Sequence, residues 1–498
     1  MNSLKTLGRL VFIGAITAAI CIGLMTVTAM IPREAIQKKS QESAEYFAAK
    51  DSFEMIEYLG NTYNTMQDNY SDAILFHIIY HVDPKNPLKT ALAAKYYQPD
   101  NINIYTDYLE AVTTTPTPEP NIEYSRYWHG PMVYLRPLLL VLNAYQIRIL
   151  HGILILAGFV VCSIILWRRG LKAEAVILLL SLVLVEGWML FASLEYATMF
   201  LWMTIFCLIA LLRMPKVSLD KWGSFFLIAG IVTAFVDFLT TETLTLTMPL
   251  LLILLHYRAG LLQQGELGSV AELSQGKAGG TASFAQGNVG KLAYFPQMKK
   301  LANNKKAKQS RQDTKQDTKS GKTTSVFLIF FRYVITWGLG YAGMFSIKWL
   351  FVYLFMGDSV FKSSFDEGVL RFGGEVYLGN SNLFEQATLR QQLEGSVWHN
   401  LAMLYPFANR LSFYTTLLAF GATVLVIFAL VYLFHNRIDW GFYGLVALIA
   451  LIPIARFVLL SNHAYIHFFI TYRALLPMVM GSLLLVWEQG VPRKERRR

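Results

Sequence analysis

"LVFIGAITAAICIGLMTVTAMI" (Leu10–Ile31) is an unbroken apolar run with no charged residue. An α-helix needs about 20 such residues to cross a bilayer. Lys5 and Arg9 precede the run, and its length predicts a retained first span rather than a cleaved signal peptide. Comparable runs recur at about 146–167, 172–190, 194–213, 222–240, 243–257, 326–356, 411–434, 439–460 and 464–487. The expectation is an all-α polytopic membrane protein with about ten transmembrane helices.

Composition agrees. The chain has 498 residues, 54% hydrophobic and 15% charged, where a soluble protein carries about 25% charged residues. Its mean hydropathy is +0.40. The net charge of +11 does not imply nucleic-acid binding, because the basic residues lie between and after the apolar runs, as in cytoplasmic loops. Cys21, Cys162 and Cys207 all fall inside apolar runs, which excludes a disulfide framework and a thiolate metal site.

The short connections set the orientation. Lys5 and Arg9, then Arg168, Arg169 and Lys172, then Arg213, Lys216 and Lys221, then Arg437 and the terminal "RKERRR" fall on one side if the spans alternate. The turns at 188–193, 240–242 and 461–462 carry no Lys or Arg. This predicts both termini in the cytoplasm of a cytoplasmic-membrane protein. The domains follow: a first span (1–31), an external loop with juxtamembrane helices (32–145), spans two to six (146–257), a basic disordered loop (258–325), span seven (326–356), an external loop (357–410), spans eight to ten (411–487) and a basic tail (488–498).

The first external loop reads as helical through the spacing of Ile56, Leu59, Tyr63 and Met66. "TTTPTPEPNIEY" is a Pro-rich loop, and "PMVYLRPLLLVLNAY" an amphipathic or re-entrant segment at the membrane surface. Gly373 and Gly374 predict a turn in the second external loop, and Gly338, Gly340 and Gly343 a tilted or broken span seven.

Placing each unusual polar residue by depth puts them all in the outer half. Asp68, Asp72, His77 and His81 lie in the first external loop, which Arg126 and His129 close. Glu195 opens span four, and Asp237 and Glu242 bracket the next outer turn. Lys348 lies about 12 Å below the outer end of span seven at ~1.5 Å per residue. Arg456, Asn462, His463, His467 and Arg473 surround the last outer turn. Charge inside a membrane is costly and defaults to a functional reading.

Each residue also has a plainer reading. Asp68 and Asp72, four apart, share a helix face that water alone could explain. His77 and His81 share a face without the H-E-x-x-H pattern of a zinc pair and read as packing residues. Asp237 can be one half of a buried ion pair, and Trp128 an interface anchor.

Taken together, a carboxylate at the interface with cations reaching from the spans suits sugar transfer from a lipid phosphate. Arg and Lys stabilise the departing phosphate, and the carboxylate takes the acceptor's proton. At "QDNYSDA", "RYWHG", "DFLTTETLTL" and "NHAYIHFFITYR" the chain resembles the GT-C superfamily of integral membrane glycosyltransferases.

That resemblance implies a GT-C-like fold and transfer from a polyprenyl-phosphate-linked sugar at the outer face. The acceptor would be a glycan, lipid or protein of the cell envelope. It implies Asp72 as the first choice of general base and Asp68 as the second. By role, Lys348, Arg456 and Arg473 would contact the lipid phosphate, and His129, His463 and His467 the phosphate or acceptor, with Arg126, Asp237, Glu242 and Asn462 completing the site. Some members use a divalent metal such as Mg or Mn and others none. The rival readings are a transporter or flippase of an anionic or lipid-linked substrate, and a non-catalytic envelope assembly protein. A transporter built from inverted halves would show an internal repeat, and none is evident.

Overall fold

The computed structural model describes residues 2–55, 66–99, 103–275, 326–373, 387–405, 413–434 and 439–490. The chain begins with α1 (Asn2–Ala29), whose exposed side chains include Val11, Phe12 and Val27. Between it and the next long helix lie α2 (Arg33–Ala48), β1 (Phe53–Met55), β2 (Met66–Asp68), α3 (Asn69–His81), α4 (Pro87–Ala93), α5 (Ile104–Thr113) and α6 (Met132–Leu138). Then come α7 (Ala144–Arg168), α8 (Lys172–Leu184), α9 (Leu194–Arg213), α10 (Gly223–Val236) and α11 (Leu244–Gln275). The C-terminal part holds α12 (Val326–Met356), α13 (Asp358–Val369), α14 (Leu389–Ala402), α15 (Phe413–Phe434), α16 (Trp440–Leu459), α17 (Ser461–Ile466), α18 (Phe468–Thr471) and α19 (Leu476–Gly490).

Among the described residues, seven helical stretches are long and apolar enough to cross a membrane: Lys5–Ala29, Ala144–Arg168, Leu194–Arg213, Val326–Met356, Phe413–Leu430, Trp440–Leu459 and Phe468–Glu488. The other three expected spans are helices of lesser apolar length. α8 stops at Leu184 because Glu186 adopts a left-handed conformation, φ 57°, and a short 3-10 turn follows. α10 stops at Val236, where Asp237 is extended. The apolar part of α11 ends by Ala259. The exposed faces fit lipid rather than water: on α15, Leu418 is 72% and Leu425 68% exposed.

Several local expectations change. Met66 belongs to a strand: Phe53 pairs with Asp68 and Met55 with Met66 in an antiparallel ladder. Ile56, Leu59 and Tyr63 lie outside the described residues, as do Gly374, Arg437, "RKERRR" and the low-complexity stretch from 276 to 325. Residues 257–329 form a unit of their own, in which α11 continues as helix to Gln275 where a disordered loop was expected to have begun at 258. α12 is one continuous helix of 31 residues, not a broken span. Two glycines instead let it approach α10. A Cβ on Gly340 would stand 2.4 Å from the Leu227 carbonyl, and one on Gly230 2.1 Å from that of Trp337.

The segment between α1 and α7 is packed, not draped. Phe47 of α2, Phe76 and Ile79 of α3, Tyr108 of α5 and Trp128 share one buried core with Ala144 and Leu194, the first residues of α7 and α9. Each such large side chain contributes about 1.5–3 kcal/mol on burial. Trp128 is fully buried and its indole N–H donates to the Met344 carbonyl at 2.9 Å, so it is a core residue and not an interface anchor. Arg136 of α6 is also fully buried. It donates to the carbonyls of Ile31 at 2.7 Å, Val82 at 3.2 Å and Ile79. One guanidinium thus satisfies carbonyls just beyond the ends of α1 and α3, where a cation also complements the helix dipoles.

Candidate functional site

The unusual polar groups gather at the end of the helices where α7 and α9 begin. Arg168 and Arg213 mark the other ends of those two helices. Asp68 ends β2 and caps α3, its Oδ1 accepting from the Ser71 N–H at 2.8 Å. Asp72 follows one turn later on the same face.

Asp72 is closed off. Arg148 donates to its Oδ2 from Nε at 2.7 Å and lies 2.6 Å away through Nη2. The Leu194 N–H donates to both oxygens at 3.1 and 2.9 Å, and the Glu195 N–H to Oδ1 at 3.2 Å. The carboxylate therefore sits on the N-terminus of α9, where dipole and orphan N–H groups favour an anion. Arg148 is placed by a capping box in which Asn143 and Gln146 start α7. Its remaining donors reach Asn69 Oδ1 at 2.7 Å, the Asp68 carbonyl at 3.2 Å and the Tyr46 hydroxyl at 3.3 Å. Burial pushes Asp72 up to about 6 while Arg148 and the Leu194 N–H oppose it, so it is ionised at neutral pH. With both oxygens taken by Arg148 and the N-terminus of α9, it is an anchor, and the expectation that it is the general base gives way.

Asp68 has a different neighbour. The partly buried Glu195 side chain lies against Asp68 and the Ser71 hydroxyl, and its Oε2 makes no hydrogen bond. Two carboxyl groups are thus side by side, contributed by positions 127 residues apart. On the other side of Asp68, Tyr70 lies within electrostatic range of both Asp68 and Arg126.

Arg126 belongs to a cationic set drawn from separate segments. Its guanidinium lies 3.8 Å over the Tyr124 ring and pairs with Glu367. Arg456 pairs with Glu242 at 2.6 Å and donates to the Leu239 carbonyl. That fixes the α10–α11 turn, which Asp237 tightens by accepting from the N–H groups of Leu239 at 2.8 Å and Thr240 at 3.1 Å. The rings of His463 and His467 lie 4.5 Å apart at a tilt of 36°, and both lie within electrostatic range of Arg126, Arg371 and Arg456.

Arg371 follows α13 and has no acidic partner among the described residues, and its Nε makes no hydrogen bond. An aromatic path joins this set to the acids: Phe53 contacts Tyr70 at 6.3 Å and Phe469 at 5.8 Å, and Phe469 contacts His467 at 6.3 Å.

No protein-family model, curated protein or solved structure matches this chain.

Not every expected residue joins the set. Lys348 is fully buried, donates to the Leu92 carbonyl at 2.7 Å and lies 5.5 Å from the Trp128 ring. It holds α12 to the end of α4 and is sealed from any lipid phosphate. Arg473 is equally buried, between the rings of Tyr196 and Tyr472, with Glu186 at 3.9 Å. It compensates an acid inside the protein, so the expected phosphate contact is corrected for it too. His129 is buried against Tyr124, Tyr127 and Phe238 with Nδ1 3.1 Å from the Tyr127 carbonyl, and burial holds it well below the usual histidine range. Asn462 is buried beside His463.

His77 and His81 stand 3.2 Å apart through their Nε2 atoms. Burial lowers both, His81 to about 3, so they are a neutral packing pair in which one donates to the other. Among the described residues no three acidic, histidine or cysteine side chains converge as a metal site.

Sequence reading passed over Arg148, Arg371, Glu186 and Glu367. Arg148 had a signal: a cation in the first turn of an apolar run opposes the helix dipole, which asks for a compensating acid. Arg371 had none.

Proposed function

We propose that the chain is a membrane-embedded glycosyltransferase that moves a sugar from a polyprenyl-phosphate-linked donor to an acceptor outside the cytoplasmic membrane. The observation that supports it most is the cationic set of Arg126, Arg371 and Arg456 near His463 and His467, in which Arg371 has no acidic partner among the described residues, with the Asp68–Glu195 carboxyl pair beyond Tyr70. The likeness of its motifs to GT-C enzymes points the same way, as does the placement of Lys and Arg at the opposite helix ends. On this reading both termini are cytoplasmic and the site faces outward.

The step balances with the chain's own residues. The acceptor hydroxyl gives its proton to Asp68 as its oxygen bonds to the sugar's anomeric carbon. The bond from that carbon to the phosphate oxygen breaks, and polyprenyl phosphate leaves with the electron pair. The guanidinium groups stabilise the charge that develops there. Glu195 beside Asp68 supplies the second carboxyl of an acid–base pair, since like charges this close disfavour double ionisation. Asp72 and Arg148 hold α3 against α7 and α9 and so position both acids.

The test is consumption of a labelled polyprenyl-phosphate sugar by the full chain in proteoliposomes. Loss of consumption in Asp68→Asn with the protein still folded is expected. If the wild-type chain consumes no such donor, the transferase reading is wrong, and uptake of a labelled anion in its place would establish a transporter.

A further inference from the structure

One cleft borders the cationic set through Arg126. It has a volume of about 270 Å³ and is open along one side. One wall is the strand of chain from Glu123 to Arg126, and the other is the face of α13 that carries Ser359, Ser363, Ser364 and Glu367. The spacing of 359, 363 and 367 puts these three on one helix face. Ser125 and Ser364 hydrogen-bond across the floor at 2.6 Å, and Arg126 pairs with Glu367 across the cleft. Ser359 and Ser363 are exposed, and their hydroxyls have no hydrogen-bond partner among the described residues.

The lining selects among ligand classes. Val360 is its one aliphatic side chain, so a lipid tail or an apolar peptide gains little there. Glu367 is paired with Arg126, and Glu123 with Lys95 at 3.7 Å, so the charges of the cleft are balanced and it does not attract a further ion. It offers hydroxyls that donate and accept and carboxylates that accept, with the Tyr124 ring beside them. A neutral, hydroxyl-rich ligand matches all three properties. Arg126 is shared with the phosphate-binding set, which would bring such a ligand beside the reacting centre.

We infer that this cleft is the acceptor subsite and that the acceptor is a glycan, its hydroxyls bonded by the serines of α13 and the carboxylates of Glu123 and Glu367. This rests on the transferase reading and narrows its acceptor to one class.

The experiment uses the full chain in membranes of cells that make it. Ser363→Cys carries a benzophenone maleimide, the membranes are illuminated, and the adduct is hydrolysed and analysed for sugars, amino acids and fatty acids. Lys362→Cys, on the other side of α13, is the control. A sugar-containing adduct at 363, absent at 362 and abolished by adding Ser359→Trp, is the expected result. An adduct of peptide or lipid, equal capture at 362, or no adduct overturns the inference. Donor consumption is measured on membranes that carry the wild-type chain. If the donor is consumed and no sugar is captured, the acceptor assignment alone fails. If sugar is captured at 363 and no donor is consumed, the cleft binds glycan and the transferase reading fails.

Discussion

The Asp72–Arg148 pair and the Arg371–His463–His467 group are built from similar polar side chains at the same end of the helices. They differ in what is left over. Around Asp72 each carboxylate oxygen and most of the Arg148 donors are taken, by each other, the N-terminus of α9, the Asp68 carbonyl, an asparagine and a tyrosine. Around Arg371 no acid answers the charge among the described residues. Burying a charge is tolerated only when it is paired and hydrogen-bonded. A saturated group therefore reports on architecture, and an unsaturated one leaves donors for a ligand. Position in the sequence does not separate the two cases: Asp68 and Asp72 share one helix face and are both buried, and among the described residues only Asp72 is paired with a cation.

Substitutions can break that contrast. Asp72→Asn leaves Arg148 buried without its counter-charge, at a cost of about 3–5 kcal/mol. The expected outcome is loss of folded protein, read as yield and thermal unfolding in detergent; wild-type unfolding would show that the pair is not an anchor. Asp68→Asn is the converse. Asn caps a helix as well as Asp does, so unfolding should be unchanged while transfer falls by about 10²–10⁴, the usual contribution of a general base. Retained transfer would remove Asp68 from the mechanism.

Acid should weaken the closed region. His81 is lowered to about 3 by burial, helped by Arg33. Below about pH 6.5 the unfolded chain takes up a proton that the folded chain refuses, so this stability is full above pH 6.5 and is lost as pH falls toward 3. At pH 5 the loss from His81 is about 2 kcal/mol. Thermal unfolding at pH 7.5 and pH 5 measures it, and His81→Asn should flatten the dependence. The smallest effect is at the open group. Arg371→Gln removes one charged hydrogen bond to phosphate, ~1.5 kcal/mol, so the donor KM should rise about tenfold with unfolding unchanged. An unaltered KM would place the phosphate elsewhere.

The helices were legible because their signal is local. The run Leu10–Ile31 and those that became α7 and α9 announce themselves by length and apolarity alone. The end of α8 was not, because Glu186 ends it through a left-handed backbone and a partner, Tyr472, 286 residues away. Met66 was misread as helical because three apolar residues at helical spacing precede it, and its strand pairing depends on Phe53–Met55. The site was legible as a gathering of polar residues on one side and illegible in its division of labour. Periodicity shows that Asp68 and Asp72 face the same way. It cannot show that Arg148, 76 residues later, would claim one of them. Lys348 and Arg473 carried the strongest sequence signal, charge inside an apolar run, and for both the charge is answered within the protein.

Arg136 and Arg148 also impose an order of events. The chain leaves the ribosome from its N-terminus at about 5–20 residues per second. The Val82 carbonyl emerges 54 residues before Arg136, and Asp72 emerges 76 residues before Arg148. For about 4–15 s at that rate these ties of the segment between α1 and α7 are unmade. Its described residues therefore cannot reach their final packing as they are synthesised: Arg148 of α7, Leu194 of α9 and Lys348 of α12 must each arrive to complete it.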